Sequence, residues 1–169
     1  MRTIDYKEAI LRKFPEQIAV AVSLDKKNNR ANIITLGWVM CTSHNPPMLA
    51  ISVGLTRYSH QTLLDAGEFV VAFPSGTQKE ATLFCGTNSG RDIDKFKESG
   101  FICMPASVIK TPLIKDACAN FECKLTATCL TGDHTIFTGE VVASHVNSKD
   151  CQRIYTMNDG SMHAISGHR

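Results

Sequence analysis

The sequence predicts a mainly β protein, an antiparallel barrel decorated by a few short helices. Apolar, β-branched runs recur along the chain and are punctuated by turn residues such as Lys27-Asn-Asn29. Two long β segments follow Pro112 and meet at the tight turn Thr131-Gly-Asp133. Helical stretches are too few for regular βαβ alternation, so strands pair mostly with sequence neighbours.

Asp5-Tyr-Lys-Glu8 suits a capped helix start, and Phe14-Pro15 ends that helix. Gln17 to Leu24 is β-rich, and Ala31 to Met40 reads as one continuous strand. His44-Asn-Pro-Pro47 reads as an extended corner, because prolines cannot continue a ladder. Met48 to Val53 is apolar enough for a strand buried on both faces. Ser59 can cap a helix to Ala66, with Gly67 at its C′ position. Phe69 to Phe73 is a second buried strand. Ser75-Gly-Thr-Gln78 fits a capping box for a helix to Cys85. Asp92 can cap a short helix over Ile93 to Glu98, stopped by Gly100. Cys118 to Leu130 and His134 to Val146 are the long strands of the hairpin.

With 169 residues the chain is expected to form one domain over 1–169. Its 18 cationic and 16 anionic side chains are scattered, and no run exceeds Lys26-Lys27. Nucleic acid and anionic membranes call for a basic stripe, so neither is an expected partner. The longest apolar runs, such as Phe69-Val-Val-Ala-Phe73, fall far short of the ~20 residues of a membrane span. Met1-Arg-Thr-Ile-Asp leads into charged residues and not into an apolar run, which predicts no signal peptide and a cytoplasmic location. Seven cysteines, an odd number, then read as reduced thiols. No Cys-x-x-Cys pair exists, and strand alternation sends Cys118 to the opposite face from Cys123 and Cys129, so no metal site is expected. These three read as small structural hydrophobes. Cys41 and Cys85 are the two placed to lie near a ligand.

Four features carry chemistry, each beside a plainer reading. Trp38, the only tryptophan, offers a stacking surface close to the Pro-Pro corner; alone it reads as a core residue. Arg57-Tyr-Ser-His60 puts a cation and hydroxyls at a helix start, where a phosphate is the natural guest; alone it is a capped helix with a surface arginine. Gly86-Thr-Asn-Ser-Gly90-Arg-Asp-Ile-Asp-Lys95 could wrap a phosphate or simply be a surface loop; no Gly-Lys-Ser/Thr follows it, so it is not a P-loop. His134 follows a tight turn and is either merely exposed or a proton and hydrogen-bond donor. Gly-x-Gly-x-x-Gly and Gly-x-Ser-x-Gly are both missing, which removes a Rossmann site and a hydrolase elbow. A flat ring at one end and a phosphate at the other describe a nucleotide-like cofactor.

Taken in order, Asn32-x-x-Thr-x-x-Trp38, Asn45-Pro-Pro47, Arg57-x-Ser-His60, Gly67-Glu-Phe69, Ser89-Gly-Arg-Asp-x-Asp-Lys-Phe96 and Gly132-Asp-His-Thr-Ile-Phe-x-Gly-Glu140 are similar to the flavin reductase-like family. These are the FMN-binding split-barrel proteins that include flavoredoxins and ferric reductase-type members. The resemblance implies a six-stranded antiparallel Greek-key split β-barrel, a homodimer, and FMN near the subunit interface. It implies that Asn32 and Trp38 line the flavin, with the backbone of Val39, Met40, Cys41 and Thr42 beside the ring. Ser52, Arg57, Ser59 and His60 would face the ribityl phosphate, and Lys95 would add charge. His134 would sit by the ring as the catalytic residue. NAD(P)H would dock transiently as electron donor, with flavin, ferric iron or another acceptor receiving the electrons. The alternatives within the resemblance are a flavoredoxin-like carrier serving a protein partner and a non-catalytic flavin-binding module. The resemblance stops at the tail Asn158–Arg169, which has no aromatic residue except histidine where family members often cover the flavin with one.

Overall fold

The computed structural model describes residues 1–166. Helix α1 (Tyr6–Ile10) is capped by Asp5, whose carboxylate accepts from the Lys7 amide, and it runs on into a 3₁₀ turn, Leu11–Lys13. Strands β1 (Glu16–Gln17), β2 (Ala19–Asp25), β3 (Arg30–Leu36), β4 (Val39–His44) and β5 (Pro47–Gly54) precede helix α2 (Tyr58–Ala66). Strand β6 (Glu68–Phe73), helices α3 (Lys79–Thr87) and α4 (Lys95–Ser99), and the short β7 (Cys103–Met104) and β8 (Leu113–Ile114) lead to the long hairpin β9 (Ala119–Thr131) and β10 (His134–Val146). Strands β11 (Arg153–Thr156) and β12 (Met162–Ile165) close the described chain.

The main sheet has seven strands in the order β3-β2-β6-β9-β10-β5-β4, and all its pairs are antiparallel. The expectation of six strands is corrected here, because the run from Ala31 to Met40 is two strands. The chain leaves the ladder at Gly37-Trp38, and the two halves become opposite ends of the sheet. A Cβ on Gly37 would sit 2.5 Å from the Glu16 carboxylate, so the turn needs glycine or a displaced Glu16. Joining the two edge strands covalently rolls the sheet on itself, and the open side gives a split barrel.

Strand alternation builds two cores. Ala19, Ala21, Leu36, Ile51, Phe69, Val71, Cys123 and Phe137 fill the interior. Val20, Val22, Ile33, Val70 and Ala72 point outwards against Cys85, Phe101, Ile109, Leu113 and Ile114. This is why β2 and β6 read as uninterrupted apolar runs. Gly139 sits beside Phe69: a Cβ there would lie 2.7 Å from the ring and 2.9 Å from Cys123.

Several local signals act as the sequence predicts. Gly67 ends α2 in the left-handed region (φ 69°), and Ser75 with Gln78 forms the capping box. Gly132 takes φ 58° in the β9–β10 turn. Others move. Helix α2 starts from Arg57, not Ser59, and α4 from Asp94, not Asp92. The Pro-Pro segment is a hairpin turn at Asn45-Pro46, and Pro47 begins β5 opposite His44. The tail through Ile165 pairs with β11 in a small sheet, β1-β11-β12, and residues 167–169 of the expected tail lie outside the described residues.

Candidate functional site

The N-terminus of α2, the C-terminus of α3 and the loop into α4 enclose a polar cavity of about 290 Å³. Arg57, Ser59, Arg91 and Lys95 line it together with Thr35, Thr56 and Ser89. No carboxylate is among its lining residues. Lys95 is 4% exposed, and its Nζ donates to the carbonyls of Ile33 (2.8 Å) and Cys85 (2.7 Å). Desolvation lowers the Lys95 pKa, the Cys85 thiol acts against this, and the nearby Arg57 charge lowers it further. A buried ammonium with only neutral partners is costly, and an anion is what offsets it. Helix α2 has no side-chain cap at its N-terminus, which opens beside Arg57.

The loop is held to the barrel wall by close packing. Asn32 Nδ2 donates to Ser59 Oγ (2.8 Å) and to Thr62 Oγ1 (3.3 Å). The Asn32 Oδ1 atom is buried without a partner, and it occupies the space a Gly90 Cβ would need, at 2.0 Å. Arg30 donates to the Gly90 carbonyl (2.7 Å), and the Arg91 guanidinium lies 5.7 Å from the Tyr58 ring centroid. Asn32 is thus a buried prop for Ser59 and Gly90, whereas the resemblance placed it against the ring.

Trp38 is 50% exposed, which rules out the core reading. Its ring centroid is 4.7 Å from that of His134, with the planes tilted by 39°. His134 pairs across the sheet with Gly54, and Asp133 Oδ1 lies 2.6 Å from its Nδ1. That contact holds the Asp133 carboxyl below its usual range, so the carboxylate accepts and Nδ1–H donates. Gly54 joins the two ends of the site. A Cβ there would lie 3.5 Å from His134 Nε2 and 3.6 Å from Arg57 Cγ. Trp38, Val39, Met40 and Ser52 line a cavity of about 350 Å³ with Tyr6 and Ile10 of α1. The Ser52 amide donates to the Trp38 carbonyl (3.0 Å).

Thus Arg57, Ser59 and Lys95 come together in one cavity, and Trp38 and His134 in another patch adjoining it. Ser52 stands with Trp38, not with Arg57. His60 turns towards the barrel, its Nε2 2.8 Å from Thr135 Oγ1 and its ring edge-on to Phe137. Cys41 and Thr42 are exposed on the edge strand β4. A further concavity, about 730 Å³, lies across β4 from Trp38; its walls include Val39, Cys41, Leu49, Phe73, Phe121 and Val141. Arg91 and Gly54 were not individually expected. The Gly/Ser-rich loop signalled the first, whereas the second depends on the β5–β10 pairing. Among the described residues no group of three His, Cys, Asp or Glu side chains could hold a metal ion.

A sequence model of the flavin reductase like domain matches residues 11–166. A protein of Archaeoglobus fulgidus without an assigned role is 35% identical over 121 residues, covering 72% of this chain and 67% of its own length. An NADH-dependent FAD reductase of Streptomyces globisporus is 33% identical over 103 residues, 60% of this chain and 56% of that protein. The flavoredoxin of Methanosarcina acetivorans superposes with a TM-score of 0.80 at 27% identity, covering 92% of this chain and 87% of that one. The stretch matched here spans 56–67% of the length of several of the curated relatives.

Proposed function

We propose, for a chain that belongs to the flavin reductase like domain family, that it is an FMN-dependent oxidoreductase passing electrons from NAD(P)H to flavin, ferric iron or another acceptor. The observation that carries this reading is the acid-free cavity around buried Lys95, flanked by Arg57 and Arg91 and linked through Gly54 to the Trp38–His134 pair. The donor set fits a terminal phosphate of about two negative charges, and the exposed indole fits the ring. Bound flavin supplies the hydride and one-electron chemistry. The chain's own residues then bind and position. Arg57, Ser59 and Lys95 hold the phosphate. Trp38 and the β4 backbone from Val39 to Thr42 shape the ring site. His134, fixed through Nδ1 by Asp133, presents Nε2 as a proton donor when the imidazole is charged. The similarity to an NADH-dependent reductase supports a nicotinamide as the donor.

The similarity to a flavoredoxin favours a second reading, an FMN electron carrier serving a protein partner. Steady-state NAD(P)H oxidation with added FMN separates the two: the reductase turns over, and the carrier does so poorly while its flavin is reduced quickly by a protein donor.

Fluorescence titration with FMN, FAD and riboflavin tests the phosphate assignment. One charge-assisted contact is worth about 1.5–3 kcal/mol, so Arg57→Ala is expected to weaken FMN at least ~10-fold and leave riboflavin unchanged. Equal affinity of the native protein for FMN and riboflavin would sink the reading.

A further inference from the structure

Where the main sheet meets the small C-terminal sheet, Cys118 and Cys151 lie in one neighbourhood. Cys118 precedes β9, and its amide donates to the Phe73 carbonyl (2.8 Å) at the end of β6. Its carbonyl accepts from Asn147 (3.0 Å), just past β10. Its thiol lies 3.4 Å from the Gln152 carbonyl, the residue next to Cys151. The Cys151 thiol lies 3.3 Å from the Lys149 carbonyl. The Cys118 thiol therefore reaches the backbone beside Cys151, and the two cysteines share one neighbourhood. Both residues are partly exposed, and Cys151 lines a surface cavity with Ser75, Asp116, Asn147 and Gln152. Backbone bonds therefore fix one thiol to the barrel, while the other rides on the loop entering β11.

We propose that Cys118 and Cys151 form a site of two-electron oxidation by hydroperoxides, closing reversibly to a disulfide. A Cys151 thiolate attacks the peroxide O–O bond, forming an S–O bond and releasing water or alcohol once the leaving oxygen is protonated. The Cys118 sulfur then displaces hydroxide from the sulfenic acid and forms the S–S bond. Overall two thiols and one hydroperoxide give a disulfide, one water and one water or alcohol. Burial first, and then the neighbouring Cys151, pushes the Cys118 thiol up to about 11, which suits Cys118 to the resolving role and not the attacking one. The other buried thiols differ. Cys123 is held at about 12 by burial in the barrel core, and Cys85 is raised by burial in the outer core. Neither step involves the flavin site, so the proposal stands or falls apart from the functional reading.

The test uses the full chain and hydrogen peroxide. After oxidation, alkylation and trypsin digestion, the expected product joins the peptide Asp116–Lys124 to Asp150–Arg153. Fragmentation must place the link at Cys118 and not Cys123. The protein should lose two of its seven free thiols and recover them with dithiothreitol. Cys151→Ser should abolish both the link and the paired loss, whereas Cys41→Ser should change neither. Cys118→Ser should trap an accessible sulfenic acid at Cys151. Both cysteines remaining fully alkylatable while other thiols oxidise would overturn the proposal, as would a link that joins Cys151 to any cysteine but Cys118.

Discussion

His134 is held through one ring nitrogen and turns the other towards the site, and this makes it the residue whose role is easiest to separate from folding. Asp133 fixes Nδ1, and Nε2 looks across Gly54 towards the Arg57 side of the site. If that imidazole donates to charge developing on a reduced ring, His134→Ala slows flavin reduction about 10²-fold and leaves FMN affinity nearly unchanged. His134→Gln, which retains a donor, should recover part of the rate. A role limited to the hairpin would lower the melting temperature of both variants without altering stopped-flow reduction, and that result would remove His134 from the chemistry. The residue identities of this patch were legible from sequence because Trp38, Arg57 and His134 stand out by type. The partnerships were not. Asn32 is a polar residue in a β-rich run, and only the fold shows it buried beneath Gly90.

At the scale of elements, the irregular stretch between β7 and β8 is held by acidic side chains of the sheet. Glu122 lies on β9, fully buried, and accepts from the amides of Ser107 (2.7 Å), Val108 (2.8 Å) and Ile109 (2.9 Å); His145 Nε2 lies 2.7 Å away. Glu68 on β6 does the same for Lys110 (2.8 Å) and Thr111 (2.9 Å). Burial alone would raise the Glu122 carboxyl, but the amides and His145 together bring it down to about 2. Its folded pKa is thus below the ordinary 4.5, so it stabilises the fold fully above that value and progressively less as pH falls towards 2. The difference amounts to about 3 kcal/mol. Glu122→Gln should lower the melting temperature at neutral pH, and the gap from the native protein should narrow steadily below about pH 4. A pH-independent gap would show that the carboxylate's charge contributes nothing. Sequence showed this stretch only as a gap between elements, because its amides are satisfied by residues distant in the chain. Where the signal was local, as at Asp5, Ser75-Gln78 and Gly67, the caps were readable. The break at Gly37-Trp38 was not, because β-branched residues continue up to it and the Glu16 side chain packed against Gly37 is distant in sequence.

Among the described residues the main sheet ends in β4, which is paired on one side only. Strand β4 carries Trp38 beside it and Met40 within it, 50% and 55% exposed, next to the proposed ring site. An unpaired edge flanked by large apolar side chains favours a partner surface. A second copy of the chain would cover the edge and shield the ring, and on this basis a homodimer is proposed. Light scattering at micromolar concentration should give twice 18.5 kDa, and Met40→Lys should shift the mass towards the monomer. A native monomer with FMN bound would exclude this arrangement. Among the described residues no helix is long and apolar enough to cross a membrane. The class of fold was legible at this scale because strand runs and turn residues alternate along the chain. The strand count was not, because it depends on a single bend.

The burial of Lys95, with backbone carbonyls as its hydrogen-bond acceptors, makes ligand capture a proton-linked event. Burial keeps the ammonium easier to deprotonate than a surface lysine, and a phosphate dianion placed against it reverses that preference. Wherever part of the lysine is neutral, binding must therefore draw a proton from the solvent. Calorimetry of FMN binding in two buffers of different ionisation enthalpy should then give different heats at alkaline pH, where the phosphate is already a dianion. Lys95→Met should erase the difference. If the heats agree at every pH, the ammonium is charged before the phosphate arrives, and the cavity is a fixed positive field instead of a titrating one.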